Sequence, residues 1–151
     1  MSSAQTVIPT YQIILYGRPG LSLQGCLDDS DTLPLHSRCP TCEIHLLCVS
    51  TFVQVPPLLE FDLSDNFNCL LPLDPVLQVT CQDSQFSYNL WGIIYFNNEH
   101  FTECIITKTN LVWYHNGMFT GHSLVYESNN LSSIITDKAV MAVYRHESSL
   151  P

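Results

Sequence analysis

Short runs of β-favouring residues, separated by polar turns, fill the chain from Phe52 onward. The gaps between the runs are rich in Asn, Asp, Ser and Gly, which punctuate strands. Three or more such runs pairing antiparallel form a self-supporting sheet. The pattern therefore predicts an α+β, mostly β fold built on an antiparallel sheet. The predicted strands are Leu58–Leu63, Val76–Cys81, Ser87–Phe96, Phe101–Thr107, Leu111–Tyr114 and Ala139–Tyr144.

One run, Tyr88–Phe96, is apolar at nearly every position after Asn89. Such a run predicts a strand buried on both faces in the middle of a sheet. Lys108–Asn110 predicts a hairpin turn between the two strands that follow. The first third of the chain is irregular, and one short helix is expected there over Leu21–Asp29.

Composition narrows the function classes. The 151 residues are 46% hydrophobic, enough for one domain with a real core. Fourteen acidic against five basic residues give a net charge of −9, opposite in sign to a nucleic-acid or anionic-membrane binder. Charged residues make up only 13%, against roughly 25% in an average domain, so a partner or a further piece of chain is expected to cover some surface.

The cellular setting is expected to be intracellular, cytoplasmic or nuclear. No apolar run approaches the roughly 18 residues of a membrane span, and Met1–Gln12 lacks the features of a signal peptide. Seven cysteines, an odd number, then indicate reduced thiols or metal ligands rather than a disulfide framework.

His100 and Asn116 form a candidate catalytic pair. If the strands on either side of Lys108–Asn110 form a hairpin, both residues fall at the same end of the sheet. An imidazole that acts as a base needs a group on its second ring nitrogen, and Asn does this in Cys-His-Asn hydrolases. The alternative is an exposed turn histidine beside an ordinary Asn-Gly turn.

Cys39, Cys42, His45 and Cys48 form a candidate metal set. Cys-x-x-Cys is the knuckle of many zinc sites, because two thiolates three residues apart can share one tetrahedral ion. A usual zinc site closes with a distant second pair, which this sequence lacks. Zinc is therefore a possible cofactor, and reduced thiols without metal are the alternative.

Cys26 is the thiol to weigh as a nucleophile. A position near a helix start would lower its pKa, whereas a place on the apolar face of the helix would make it an inert core residue. No Gly-x-Ser-x-Gly, phosphate-binding glycine loop or His-Glu-x-x-His occurs in the sequence.

The order of these motifs resembles the C-terminal half of the ubiquitin-specific proteases, the papain-like cysteine deubiquitinases. The resemblance covers roughly residues 21–146. In the first part, Leu21–Leu27 resembles the family's helix, Arg38–Cys42 its first zinc knuckle, and Val55–Leu63 the segment in which a proline leads into a central strand. Tyr88–Tyr95 resembles the strand that precedes the catalytic histidine, and His100-Phe101 stands where the family has His-Tyr. Val112–Asn116 resembles its Trp-containing strand, and Ala139–Arg145 its closing strand.

The resemblance implies a fold like the palm and fingers half of a papain-like cysteine protease. It also implies that His100 is a general base and that Asn116 holds its ring. The sequence departs from the family at Glu99, where a glycine usually precedes the histidine, and at Asp62–Ser64, which lacks the family's Arg-Phe. The second zinc knuckle and the Gly-Asn-x-Cys nucleophile box are also absent from these 151 residues.

Two functions from different classes follow. The first is a partial or degenerate deubiquitinase domain, inactive alone, that hydrolyses isopeptides when joined to a Cys-bearing segment. The second is a non-catalytic module that binds ubiquitin or an extended peptide. Either implies ubiquitin or a ubiquitinated protein as partner. The expected organisation is an extension at 1–18, the half-domain at 19–147 and a tail at 148–151.

Overall fold

The protein is seen in a computed structural model, which describes residues 11–14, 20–30, 33–38, 45–48, 54–64, 71–81, 83–97, 99–134 and 138–148. One helix, one 3-10 turn and ten strands occur in these ranges. They are β1 Tyr11–Ile14, α1 Leu23–Ser30, β2 Leu33–Arg38, β3 His45–Cys48, β4 Leu58–Asp62, β5 Val76–Cys81, β6 Ser84–Asn97, β7 His100–Ile106, β8 Val112–His115, β9 Val125–Ser128, the 3-10 turn Leu131–Ser133 and β10 Ala139–His146.

Eight of the strands form a single sheet in the order β1-β4-β10-β6-β7-β8-β9, with β5 also paired to β6. All neighbours are antiparallel except β1, which runs parallel to β4. The remaining two strands, β2 and β3, form a separate antiparallel pair. The predicted fold class, mostly β on an antiparallel sheet, is confirmed.

The six predicted strands appear as β4, β5, β6, β7, β8 and β10, each within a few residues of its expected ends. The predicted helix appears as α1. The sequence pattern missed the edge strand β9, whose residues are all exposed or half-buried and carry no apolar alternation. It also missed β1, which lies inside the stretch assigned to the extension and pairs with β4, and the paired strands β2 and β3, which lie in the third of the chain expected to be irregular.

The prediction that residues 88–96 are buried on both faces is wrong. Tyr88 and Ile93 are fully buried, but Trp91 and Phe96 are 41% and 38% exposed. The core packs against one face of β6 only. The opposite face is also apolar: Phe96 packs against Phe101, and the Arg145 guanidinium lies over the Trp91 ring. Because both faces carry apolar side chains, residues 90–96 read as one apolar run.

The hairpin that carries the candidate pair is formed as predicted. Ile106 lies opposite Val112, and both are buried in the core. The connecting turn is closed by a hydrogen bond from the Thr107 N–H to the Leu111 carbonyl. Asn110 takes a φ of 61°, a left-handed conformation that Asn tolerates better than most residues. Antiparallel pairing brings the first residue of β7 and the residue after β8 to the same end of the sheet.

Candidate functional site

His100 is the first residue of β7 and follows a tight turn from β6. Asn97 pairs with His100 across the two strands, so a short loop connects β6 to β7. Glu99 has a φ of 68°. Such loops favour residues with positive φ because their twist matches that of the flanking strands. The turn directs His100 onto the face that also carries buried Cys104 and Ile106.

Asn116 directly follows β8 and is the one polar residue that is buried in the described part of the chain, at 6% exposed. Its side-chain Oδ1 accepts a hydrogen bond from the Met118 N–H at 3.1 Å. Its carbonyl oxygen accepts from the N–H groups of Phe119 and Thr120 at 2.9 and 2.7 Å. The Thr120 hydroxyl accepts from the Asn116 N–H at 3.1 Å. The residue is therefore fixed by the turn that it begins.

The structure brings the two predicted residues together. Asn116 Nδ2 lies 3.4 Å from His100 Nε2 and 3.3 Å from the Tyr114 hydroxyl. In the register of β7 and β8, Glu103 opposes His115, so Asn116 falls opposite residue 102. His100 lies two residues from that position on the same face, which makes it a diagonal neighbour of Asn116. Diagonal neighbours are about 7–8 Å apart at the backbone, within reach of an imidazole and a carboxamide.

His115 ties the loop after β8 to the neighbouring strand. Its Nδ1 lies 3.2 Å from Glu103 Oε1, and its Nε2 lies 2.9 Å from the Gly121 carbonyl oxygen. His115 thus contacts β7 through Glu103 and the loop that follows Asn116 through Gly121. The sequence did not single out His115. The signal for its role is its position opposite the acidic Glu103 on the paired strand. That position becomes visible only once the register of the hairpin is known.

A groove of about 210 Å³ lies on the same face of the sheet, next to the pair along β7 and β8. Thr102, Cys104 and Tyr114 line it, with Glu127 of β9 among the facing residues. Cys104 Sγ lies 3.5 Å from Glu127 Oε2. Burial raises the pKa of the Cys104 thiol to about 11, so the thiol is protonated at neutral pH. The sequence did not single out Tyr114 or Glu127.

None of the cysteines among the described side chains is placed as a nucleophile for His100. Cys104 stands four residues along the same strand, about 13 Å away at the usual rise per residue. Cys26 and Cys81 are 4% and 6% exposed. Cys26 belongs to the hydrophobic core through α1, as in the second of the two readings of its sequence.

The candidate metal set lies largely outside what the structure describes. Cys39 and Cys42 fall outside the described residues, and His45 and Cys48 are placed only by the backbone of β3. That strand pairs with β2 so that Arg38 opposes His45. The zinc site therefore stays a prediction.

Comparison with solved structures identifies the architecture. A yeast SAGA DUB module matches 85% of this chain and 33% of its own at a TM-score of 0.62 and 14% identity. The SAGA Ubp8/Sgf11/Sus1/Sgf73 DUB module bound to ubiquitin aldehyde matches 91% of this chain at a TM-score of 0.62 and 13% identity. The chain has a ubiquitin-specific-protease-like fold. The Saccharomyces cerevisiae PAN2 pseudoubiquitin-hydrolase has it too, with 93% of this chain matched at a TM-score of 0.53 and 13% identity.

The ubiquitin-specific-protease-like chain is shorter than these neighbours. It spans about a third of the SAGA chains, at 33% and 35%, and 51% of the PAN2 chain. No protein-family model matches its sequence, and no curated protein matches it. None of the described helices is long and apolar enough to cross a membrane.

Proposed function

We propose that the chain is the histidine-bearing half of a ubiquitin-specific-protease-like domain, inactive in isolation and competent for thiol-dependent isopeptide hydrolysis only when a Cys-bearing segment joins it. The observation that carries the proposal is the 3.4 Å contact between His100 Nε2 and Asn116 Nδ2. A histidine beside a buried Asn at a sheet end, on this fold, is the pair of residues that supplies base and orienter in Cys-His-Asn hydrolases.

In this function His100 would take the thiol proton, leaving a thiolate to attack the isopeptide carbonyl, and would return the proton to the leaving amine. Because Nε2 is turned toward Asn116, Nδ1 is the ring nitrogen that would face the incoming thiol. Asn116 and its turn would hold the ring in place. Without a thiolate no acyl-enzyme forms, so the base and its orienter alone give no turnover.

The surface at this end of the sheet supports a docking role for a second segment. Met118 and Phe119, two adjacent residues of the turn that Asn116 begins, are 71% and 82% exposed. Monomeric proteins rarely leave large apolar side chains clustered in water. We propose ubiquitin or a ubiquitinated protein as the substrate, and a Cys-bearing segment as the partner that covers this surface.

The test uses release of a fluorophore from a ubiquitin C-terminal amide. The full 151-residue chain alone should give no turnover. Addition of the Cys-bearing N-terminal segment of a ubiquitin-specific protease, itself lacking a histidine half, should restore turnover. His100→Gln should abolish the restored activity, whereas His122→Gln, at an exposed histidine of the neighbouring loop, should leave it intact.

Two results would contradict the proposal. Turnover by the chain alone that is lost on Cys26→Ser would make Cys26 the nucleophile. The second result is a chain that binds ubiquitin and the Cys-bearing segment but gives no turnover in the mixture. If His100→Gln also leaves that binding unchanged, the chain is a non-catalytic binding module.

A further inference from the structure

The Asn116 carboxamide has a defined orientation, because its oxygen and nitrogen face different kinds of partner. Met118 N lies 3.1 Å from the atom assigned as Oδ1. A backbone N–H can only donate, so the side-chain atom that it faces has to be the oxygen. Turning the carboxamide over would set an NH₂ group against an N–H group. The Asx turn therefore places Nδ2, and not Oδ1, on the side of His100.

The two Nδ2 hydrogens then face two acceptors, His100 Nε2 at 3.4 Å and the Tyr114 hydroxyl oxygen at 3.3 Å. Nε2 can accept only if it carries a lone pair. A neutral imidazole with an unprotonated Nε2 has its proton on Nδ1. The orientation of one side-chain amide thus selects the tautomer of the histidine beside it.

We propose that the Met118 backbone N–H is a positioning group that, through the Asn116 carboxamide, holds neutral His100 as the Nδ1–H tautomer. A carboxamide that presented its oxygen to Nε2 would select the opposite tautomer, with Nδ1 open to take a proton. In this chain the pair rests in the form that cannot take a proton at Nδ1. Proton transfer from a thiol would require the amide to turn over and release the Met118 N–H.

Asp at position 116 would reverse the tautomer without opening the turn. A carboxylate has two acceptor oxygens, so one can take the Met118 N–H while the other takes an N–H from His100 Nε2. Asn116→Asp should therefore move the proton to Nε2. It should also raise turnover in the complemented assay, an effect that rests on the proposed function, whereas the tautomer itself does not.

The test is long-range ¹H–¹⁵N NMR of the His100 ring in the full chain, at a pH where the imidazole is neutral. The resonance is assigned by its loss in His100→Gln. In the wild-type chain Nδ1 should show the protonated ¹⁵N shift and Nε2 the unprotonated one. The reverse assignment in the wild-type chain, for which no variant is needed, would overturn the proposal.

Two sets of variants test whether the Met118 N–H acts on His100 through the Asn116 carboxamide. Asn116→Asp should exchange the two ¹⁵N shifts. Met118→Pro, which removes the N–H, should shift the tautomer population toward Nε2–H, and Met118→Leu, which keeps the N–H, should not. If a Met118→Pro chain with a native amide spectrum keeps the proton on Nδ1, the role of Met118 is overturned. If the proline variant does not fold, the same result in Asn116→Asp overturns the proposal. A confirmed tautomer with no turnover in the complemented mixture would leave this inference standing and reject the proposed function.

Discussion

At the scale of single residues, the turn before His100 carries a backbone cost. Glu99 has a φ of 68°, in the left-handed region where the Cβ of an L-residue meets the following carbonyl oxygen. The ubiquitin-specific proteases, which the sequence resembles, usually have glycine at this position. The conformation explains that preference, because glycine has no Cβ and enters the region freely.

Glu99→Gly should raise the free energy of unfolding by up to about 1 kcal/mol, since relief of the left-handed strain is partly offset by the greater entropy of an unfolded glycine. Urea unfolding followed by tryptophan fluorescence measures the change. Lys108→Gly, at an exposed turn residue without positive φ, should bring no gain. A lower urea midpoint for Glu99→Gly than for the wild-type chain would show that the Glu99 side chain contributes more than its backbone costs.

At the scale of elements, the Gln24 side chain joins α1 to β5 by making the two backbone hydrogen bonds that a neighbouring strand would make. Gln24 Oε1 accepts from the Gln78 N–H at 2.8 Å, and Gln24 Nε2 donates to the Gln78 carbonyl at 3.1 Å. In the described part of the chain β5 pairs with β6 alone, so these two backbone groups would otherwise face water at an open edge. The Gln24 N–H in turn donates to Asp74 Oδ2 at 2.8 Å, which anchors the first turn of the helix. Such cover protects an edge strand from pairing with other chains.

Gln24→Leu should lower the free energy of unfolding by about 1–2 kcal/mol, because two hydrogen bonds of roughly 0.5–1.5 kcal/mol each are lost. Gln24→Glu should also destabilise the fold, because a carboxylate oxygen in the place of Nε2 would face two acceptors, the Gln78 carbonyl oxygen and Asp28 Oδ1. Gln85→Leu, at an exposed glutamine of β6, serves as the control. Denaturant unfolding and light scattering on storage are the measurements. Equal stability of Gln24→Leu and Gln85→Leu would mean that the Gln24 contact contributes nothing.

At the scale of the whole molecule, the core encloses groups that ionise at high pH. Burial raises the pKa of the Cys104 thiol to about 11 and that of Tyr88 to about 12. Burial also raises the pKa of Tyr95 and Tyr144 above the usual tyrosine value of 10.0. Two of the hydroxyls are held as donors, Tyr88 to the Pro56 carbonyl at 2.8 Å and Tyr144 to the Asp74 carbonyl at 2.7 Å. The folded state thus requires the protonated forms.

The protein should therefore lose stability in alkali. A group whose folded pKa exceeds its unfolded pKa stabilises the fold fully below the unfolded value, and this contribution is lost as pH rises through the folded value. The unfolded values are 9.0 for the thiol and 10.0 for the tyrosines, so the loss begins near pH 9 and grows to pH 11–12. Urea midpoints measured from pH 7.5 to 11 should fall progressively, and less steeply in Cys104→Ala. A level midpoint across that range would contradict the burial of these groups.

Much of the sheet could be predicted from the sequence, because a strand of four to fourteen residues is encoded by its own alternation and by the turn residues at its ends. The Lys108–Asn110 turn with its two apolar flanks defined the hairpin, and the hairpin placed His100 and Asn116 at one end. The apolar run of β6 was misread because periodicity reports how apolar a face is, and not whether anything covers it.

Tertiary structure decided what depends on residues far apart in the chain. The place of β10 between β4 and β6 pairs residues that are 44 (Ala139 with Tyr95) to 87 (Arg145 with Leu58) positions apart, and no local pattern specifies such a pairing. The edge strand β9 exists through its pairing with β8, because its own residues carry no apolar periodicity. The sequence by itself, through the predicted hairpin, placed His100 and Asn116 at the same end of the sheet. Which end of the amide meets the ring was decided by the Met118 N–H, because hydrogen-bond direction is a property of the folded turn.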